Sequence, residues 1–288
     1  MASTERACLG VIAVLLGPIA HAQERPLWEL GLGVGAVSFR DYRGSDTTHA
    51  YPVVVPYFIY RSRLFQADRS GVRSKFLHQD RVELNFSVNA TTPVRNNATR
   101  SGMPQLRPTL ELGPALNVHI WRSRSENVRL DIRLPVRAVW TIGGPGYIGW
   151  LFAPNINMDF LNAAGSPGWN LGLLTGPLFA ARRYDDYYYS VPAQFATPDR
   201  SAYAASGGFA GTQVLASLTK RYPKFWTGAY VRYDTLAGAS FETSPLVRSH
   251  NYWSAGIGIA WMLGHSSHTI AVPEYESPYD SCSGCSNP

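Results

Sequence analysis

Nowhere does the chain hold about 18 consecutive apolar residues, the length a membrane-crossing helix needs. A helical anchor is therefore not expected. Charge is also scarce: Asp, Glu, Lys and Arg make up 16% of the 288 residues, against a usual share of about 25%. Such a chain has little need of a charged exterior, and 26 Gly, 20 Pro and 12% aromatic residues suit strands and turns. The net charge of +6 comes from arginines spread over strand faces and short turns, not from the clustered basic patch that nucleic acid demands. Nucleic acid is set aside as a partner. Convincing helical periodicity is missing, and no shift of composition marks a domain boundary.

What is present begins with "MASTERACLGVIAVLLGPIAHA". Arg6, the apolar run Ala7 to Ala20 and the small-residue pattern Ala20-His21-Ala22 predict a signal peptide over 1–22, cut before Gln23. Cys8 lacks the small residues that a lipoprotein cleavage site carries before its cysteine, so no lipid anchor is expected.

The remainder alternates. In "NVRLDIRLPVRAVW", Val128, Leu130, Ile132, Leu134, Val136, Ala138 and Trp140 interleave with Arg129, Asp131, Arg133 and Arg137. Period two marks a strand with two unlike faces. A soluble sandwich turns the apolar face to its core, whereas an outer-membrane barrel turns it to lipid and lines its lumen with the charges. "RVELNFSVNA" and "LELGPALNVHI" alternate in the same way, and further strands are readable near 27–39, 51–61, 147–161, 168–182, 208–220, 225–237 and 250–263. Reading 63–77 as a hairpin turning at "RSG" makes twelve strands. The connections at 40–50, 91–107, 183–207 and 238–249 then share one side, and the short turns share the other, as single-chain barrels require. Ten strands is the fallback. Trp28, Trp121, Trp140, Trp150, Trp169, Trp226, Trp253 and Trp261 all lie near strand ends, where the aromatic girdles of such barrels sit. The prediction is an all-β transmembrane antiparallel β-barrel over 23–263, monomeric, followed by a disordered polar periplasmic tail over 264–288.

The segments "LGLGVGAVSFRDYRGSD" (30–46), "VVPYFIYR" (54–61), "RRYDDYYYSV" (182–191) and "SPLVRSHNYWSAGIGIAWML" (244–263) resemble the MltA-interacting protein / OmpV family of Gram-negative outer-membrane proteins. The resemblance spans the whole mature barrel in family order. It implies location in the outer membrane, in contact with its lipid. It also implies a scaffold that bridges a lytic transglycosylase and a bifunctional peptidoglycan synthase in the periplasm. Other members are described as adhesins or are tied to uptake. Family members usually end on the last strand; this chain continues for 25 residues past Leu263, although Gly256, Ile259 and Trp261 keep the spacing of an assembly signal.

Several constellations carry chemistry. Glu83, Glu111, Arg129, Asp131, Arg133 and Arg137 share the lumen phase and predict either a charged constriction or a salt-bridged plug. Arg122 and Arg124, in the short turn "RSRSEN", are candidates for binding an acidic periplasmic partner. Tyr184, Asp185, Asp186 and Tyr187 open the longest outer connection. They read either as a ligand-contact surface or as girdle tyrosines with the two aspartates in water. "DYRGSD" has two carboxylates where calcium takes six to eight oxygens, so it reads as a turn. Cys282 and Cys285 form a lone CxxC in an oxidising compartment and predict a small disulfide; no metal site or cofactor is expected. No histidine shares a lipid face with a serine at matching spacing, and no hydrolase motif appears, so an enzyme is not expected. Three functions follow from this reading: a non-catalytic scaffold for murein enzymes, a narrow pore for small solutes, and a surface adhesin.

Overall fold

The computed structural model describes residues 23–61, 65–68, 71–79, 81–125, 127–144 and 146–272. The expected signal peptide and the Cys282/Cys285 pair lie outside them. In chain order the elements begin with β1 (Gln23–Pro26), β2 (Trp28–Arg40), β3 (Thr48–Arg61), β4 (Phe65–Asp68), β5 (Gly71–Gln79) and β6 (Val82–Ala90). There follow β7 (Thr109–Arg122), β8 (Val128–Thr141), β9 (Tyr147–Phe152), β10 (Asn155–Phe160) and β11 (Trp169–Ala180). After α1 (Arg182–Tyr189) come β12 (Gly208–Arg221), β13 (Phe225–Thr235), β14 (Asn251–His265) and β15 (Thr269–Val272).

β2 to β14 pair antiparallel, each with its sequence neighbour, except that β9 and β10 do not pair with each other and each lies between β8 and β11. Near one end Val136 to Trp140 of β8 face β9; near the other, Val128 to Arg133 face Phe160 to Asn155 of β10. β9 and β10 are thus one wall strand interrupted at Ala153-Pro154, where proline has no N–H to give the ladder. β14 pairs with β2 along ten positions, from Ala255↔Ser38 to His265↔Glu29, and closes the ring. Counted this way, twelve strands form the barrel, and the "RSG" hairpin stands as β4 and β5. β4 is short and meets β3 only at Tyr60 and Arg61. The remaining length of β3 has no strand on that side among the described residues.

The wall is inside out relative to a soluble protein. Along β2, Leu30, Leu32 and Val34 are 46%, 45% and 37% exposed, whereas Glu29 between Trp28 and Leu30 is buried. Val54, Phe58, Phe86, Leu116, Val136, Ile156, Val214 and Ile257 continue an exposed apolar band around the ring. An apolar surface of that extent is stable against lipid and not against water. Trp121, Trp150, Trp253 and Trp261 are exposed near the ends of their strands. Trp226 is the exception: it faces inward, and its ring lies where a side chain on Gly228 would stand, 2.1 Å from that Cβ position.

The long connections gather at one end, the outer one by the rule that outside loops are the longer, and the connections after β7 and β12, with 123–125 and 222–224 described, lie at the periplasmic end. Two elements depart from the expectation. The segment 264–288 was expected to be disordered throughout, yet β14 runs on to His265 and β15 pairs with β1 from Gln23↔Val272 to Pro26↔Thr269. β1 precedes the first wall strand and β15 follows the last, which puts both on the same side of an even-stranded barrel, close enough to satisfy each other's backbone hydrogen bonds. The second departure is α1, a helix where none was expected.

Candidate functional site

The lumen is lined by the polar phase of the strands. All six predicted lumen residues share the inner face, and register explains how they meet. Glu111 Oε2 on β7 and Arg137 Nε on β8 form an ion pair at 2.8 Å, and Arg137 Nη1 donates to Ser87 Oγ at 3.3 Å. His119 and Asp131 are paired directly across β7 and β8, with Nδ1 and Oδ1 2.8 Å apart. Arg129 and Arg133 face Asp159 and Asn155 of β10 in register, and Glu83 is half-buried opposite Asn117. Arg129, Arg133 and Arg137 recur every fourth residue of one strand, so they form a column along the inner face of β8, about 13 Å apart.

Three further clusters were missed from the sequence. Near the periplasmic end, Arg221 of β12 donates to Glu29 Oε2 at 2.6 Å and to the Tyr57 hydroxyl at 2.9 Å. Near the outer end, Arg232 Nη2 donates to Asp234 Oδ1 at 2.7 Å, and its Nε lies 2.7 Å from Oδ2 as an ion-pair contact. Arg43, reaching in from the β2–β3 loop, lies 3.3 Å from Asp234 and donates to Ala210 O at 2.7 Å. The alternation in "YVRYDT" already puts Arg232 and Asp234 on one face; Arg43, in a turn, carries no such mark.

The third cluster is a cap. Tyr42, Val94, Leu106, Tyr184, Tyr188, Tyr189, Leu236, Phe241 and Val247 form one buried apolar core drawn from four different outer loops. Polar ties fix the loops to one another. Tyr42 Oη donates to Leu246 O at 2.8 Å, Ser244 Oγ to Tyr189 O at 2.7 Å, Arg100 Nη1 to Tyr188 O at 2.8 Å, and Asn97 Nδ2 to Asp41 Oδ2 at 2.6 Å. Tyr189 stacks on Phe241 with centroids 3.6 Å apart. Two glycines permit the packing: Gly44 turns with φ of +92°, where a side chain would press on Leu236 and Val247, and Gly149 passes beneath α1 with φ of +125°.

α1 corrects the reading of "YDDYYY" as girdle tyrosines with both aspartates in water. Tyr184, Asp185, Tyr188 and Tyr189 are buried, at the i, i+1, i+4, i+5 spacing of one helix face. Only Asp186 and Tyr187 of the four predicted outer-loop residues are half-exposed. "DYRGSD" is a turn as expected, but its Asp41 is spent on Asn97 and on His49 Nε2 at 2.8 Å. Among the described residues no cluster of His, Cys, Asp and Glu could hold a metal.

Asp185 is fully buried, with one oxygen 3.5 Å from Ser240 Oγ and the other without a hydrogen-bond partner. Burial pushes its carboxyl up to about 8, against the opposing pull of Ser240 and Arg43. The folded cap therefore keeps a proton that the unfolded chain, with an ordinary value of 3.8, has lost. Its contribution is fully present below that ordinary value and is lost as pH rises towards the folded value, by at most about 1.4 kcal/mol per pH unit. Urea titrations between pH 5 and 8 should show stability falling faster in the wild type than in Asp185→Asn. Parallel pH curves for the two proteins would contradict this.

A closed antiparallel barrel with an apolar outer band, aromatic girdles and a charged interior is an outer-membrane β-barrel protein. The chain belongs to the family described as MltA-interacting protein MipA, whose model matches residues 32–263. It is 32% identical over 89 residues to the outer membrane protein OmpV of Vibrio cholerae serotype O1, and 30% identical over the same length to Omp26La of Vibrio anguillarum. Each alignment takes in 30% of this chain and spans 33% of the relative. Among solved structures, an outer membrane channel from Pseudomonas putida F1 is similar at 12% identity and a TM-score of 0.44, over 86% of this chain and 100% of that one. The NanC porin is similar at 9% identity and a TM-score of 0.37, over 81% and 100%.

Proposed function

We propose that this barrel is a non-catalytic, non-conducting outer-membrane scaffold whose periplasmic face engages peptidoglycan-remodelling enzymes, a lytic transglycosylase foremost. The observation that supports it is the cap. Four loops sharing one apolar core over the outer mouth oppose solute entry, and they bury Tyr184 and Asp185, two of the four candidate contact residues. The periplasmic end is open to partners by contrast. Arg122, at the foot of β7, and Arg124, in the turn after it, are both exposed there. A family description that names an interacting protein fits this division of the molecule. The pairs Glu111–Arg137 and His119–Asp131 then act as cross-links of the wall, and the Arg129/Arg133/Arg137 column is structural.

The refolded barrel, immobilised, should retain a purified lytic transglycosylase, and the double variant Arg122→Glu, Arg124→Glu should lose at least tenfold in affinity by charge reversal at a complementary surface. Undiminished binding would remove this turn as the contact. The rival reading, a narrow pore, draws on the arginine column as a filter for small anions. It requires current through the intact protein.

A further inference from the structure

On the lipid side of the wall, β2, β12, β13 and β14 enclose a groove of about 570 Å³. Its floor is β13, whose outward residues there are small, Thr227 and Ala229. One bank is formed by Trp169 and Leu218, the other by Val34, Ile257 and Ile259. Register places these residues in two rows. Trp169, Lys220, Thr227, Ile259 and Val34 lie side by side nearer the periplasmic end, with Leu218, Ala229, Ile257 and Ala36 one step above. Leu218 and Ile257 are 40% and 66% exposed, so the groove opens outward and not into the lumen.

At the groove's periplasmic foot stands Lys220, an outward-facing lysine in a row whose other members, Trp169, Thr227, Ile259 and Val34, are uncharged. Its ammonium lies 5.4 Å from the Trp169 ring centre and 5.2 Å from that of Tyr222. The two rings hold the cation at the interface by cation–π attraction, and its stem follows the apolar surface beneath. Tyr222 in turn stacks on Phe225 at 4.3 Å, and Phe225 pairs with Trp261 across β13 and β14. The turn between β12 and β13 adds an exposed second cation, Lys224. None of the outward residues in the two rows is acidic, so a ligand's ammonium would find no carboxylate there.

We infer that this groove is a binding site for an anionic phospholipid of the periplasmic leaflet: one acyl chain lies on Thr227 and Ala229 between the two banks, and the phosphate sits on Lys220. Charge complementarity selects the headgroup. Lys220 and Lys224 offer two positive charges and no acceptor, which suits a net-negative phosphodiester such as phosphatidylglycerol better than a zwitterion. The inference rests on the barrel's place in a membrane, not on the scaffold reading.

Native mass spectrometry of the refolded full chain, released from detergent after equilibration with equal amounts of phosphatidylglycerol and phosphatidylcholine of the same acyl chains, tests it. One phosphatidylglycerol per barrel should survive, at least fivefold in excess of phosphatidylcholine. Lys220→Gln should erase that preference, and Ala229→Phe, which fills the floor, should remove the bound lipid while the heat-modifiable gel shift shows a folded barrel. Equal retention of the two lipids, an unchanged preference in Lys220→Gln, or a second copy of the chain released from the groove by Ala229→Phe would each overturn the inference. Should one variant fail to show the gel shift, the other still decides.

Discussion

Replacing Asp234 with alanine should destabilise the barrel by about 3–5 kcal/mol, the cost of stripping one partner from a buried ion pair. Asp234 is fully buried, accepts a hydrogen bond from Arg232 Nη2 at 2.7 Å, and has Arg232 Nε in ion-pair contact at 2.7 Å and Arg43 3.3 Å away. One carboxylate thus compensates two buried guanidiniums. Arg43 keeps Ala210 O and the Tyr252 hydroxyl as partners after the change, and Arg232 loses the carboxylate to which its Nη2 donates. The damage should also spread, because Arg43 belongs to the loop that carries Tyr42 into the cap core. Urea unfolding followed by tryptophan fluorescence measures the loss. The comparison is Arg182→Ala, which removes only an exposed pair with Asp186 at 3.6 Å and should shift stability by about 0.5 kcal/mol at most. Equal effects for the two variants would contradict the assignment of Asp234 as the tie between cap and wall.

Excising residues 182–206 and joining the cut ends through a short Gly-Ser linker should turn a silent barrel into one that passes ions in unit steps. The excision removes α1 with Tyr184, Tyr188 and Tyr189, which supply much of the apolar core over the mouth. It also strips Arg100 and Ser244 of their ties to the Tyr188 and Tyr189 carbonyls. Loop ends at 181 and 207 already meet: a side chain on Gly207 would stand 2.9 Å from the Ala181 carbonyl carbon, so a short linker closes the gap without strain on β11 or β12. α1 packs on Ile148, Leu151 and Leu178 of the wall, but the β8–β9 and β11–β12 ladders lie outside the excised segment, and the gel shift of the folded barrel should persist. Current from the shortened barrel, reduced by Arg133→Ala, would show that the cap is the seal. Silence would move the seal down to the charged wall.

Much of the barrel was legible because its strands have unlike faces. Val128 to Trp140 announce a strand, its apolar phase and its inward arginines without any partner in view. Parity of long and short connections then recovers the β4–β5 hairpin at "RSG", where alternation alone is ambiguous. Pairings were less legible than faces. Glu111 and Arg137 share the lumen phase in the sequence, but only the β7–β8 register brings them to 2.8 Å. Glu29 and Arg221 lie 192 residues apart and meet only once the ring is closed. The cap was the least legible part. "RRYDDYYY" is polar on average, and its buried face has meaning only against loops that arrive from elsewhere, such as Tyr42 bonding Leu246 across 204 residues. A helical spacing of Tyr184, Asp185, Tyr188 and Tyr189 was the one local sign.

The central claim is that the outer mouth is shut and that the molecule works from its periplasmic end. Conductance of the intact, refolded protein in a planar lipid bilayer tests it most directly. The account predicts no unit steps from a preparation whose gel shift shows folded barrels. Reproducible steps from the wild type, altered by Arg133→Ala, would contradict it and make the lumen a path for solutes.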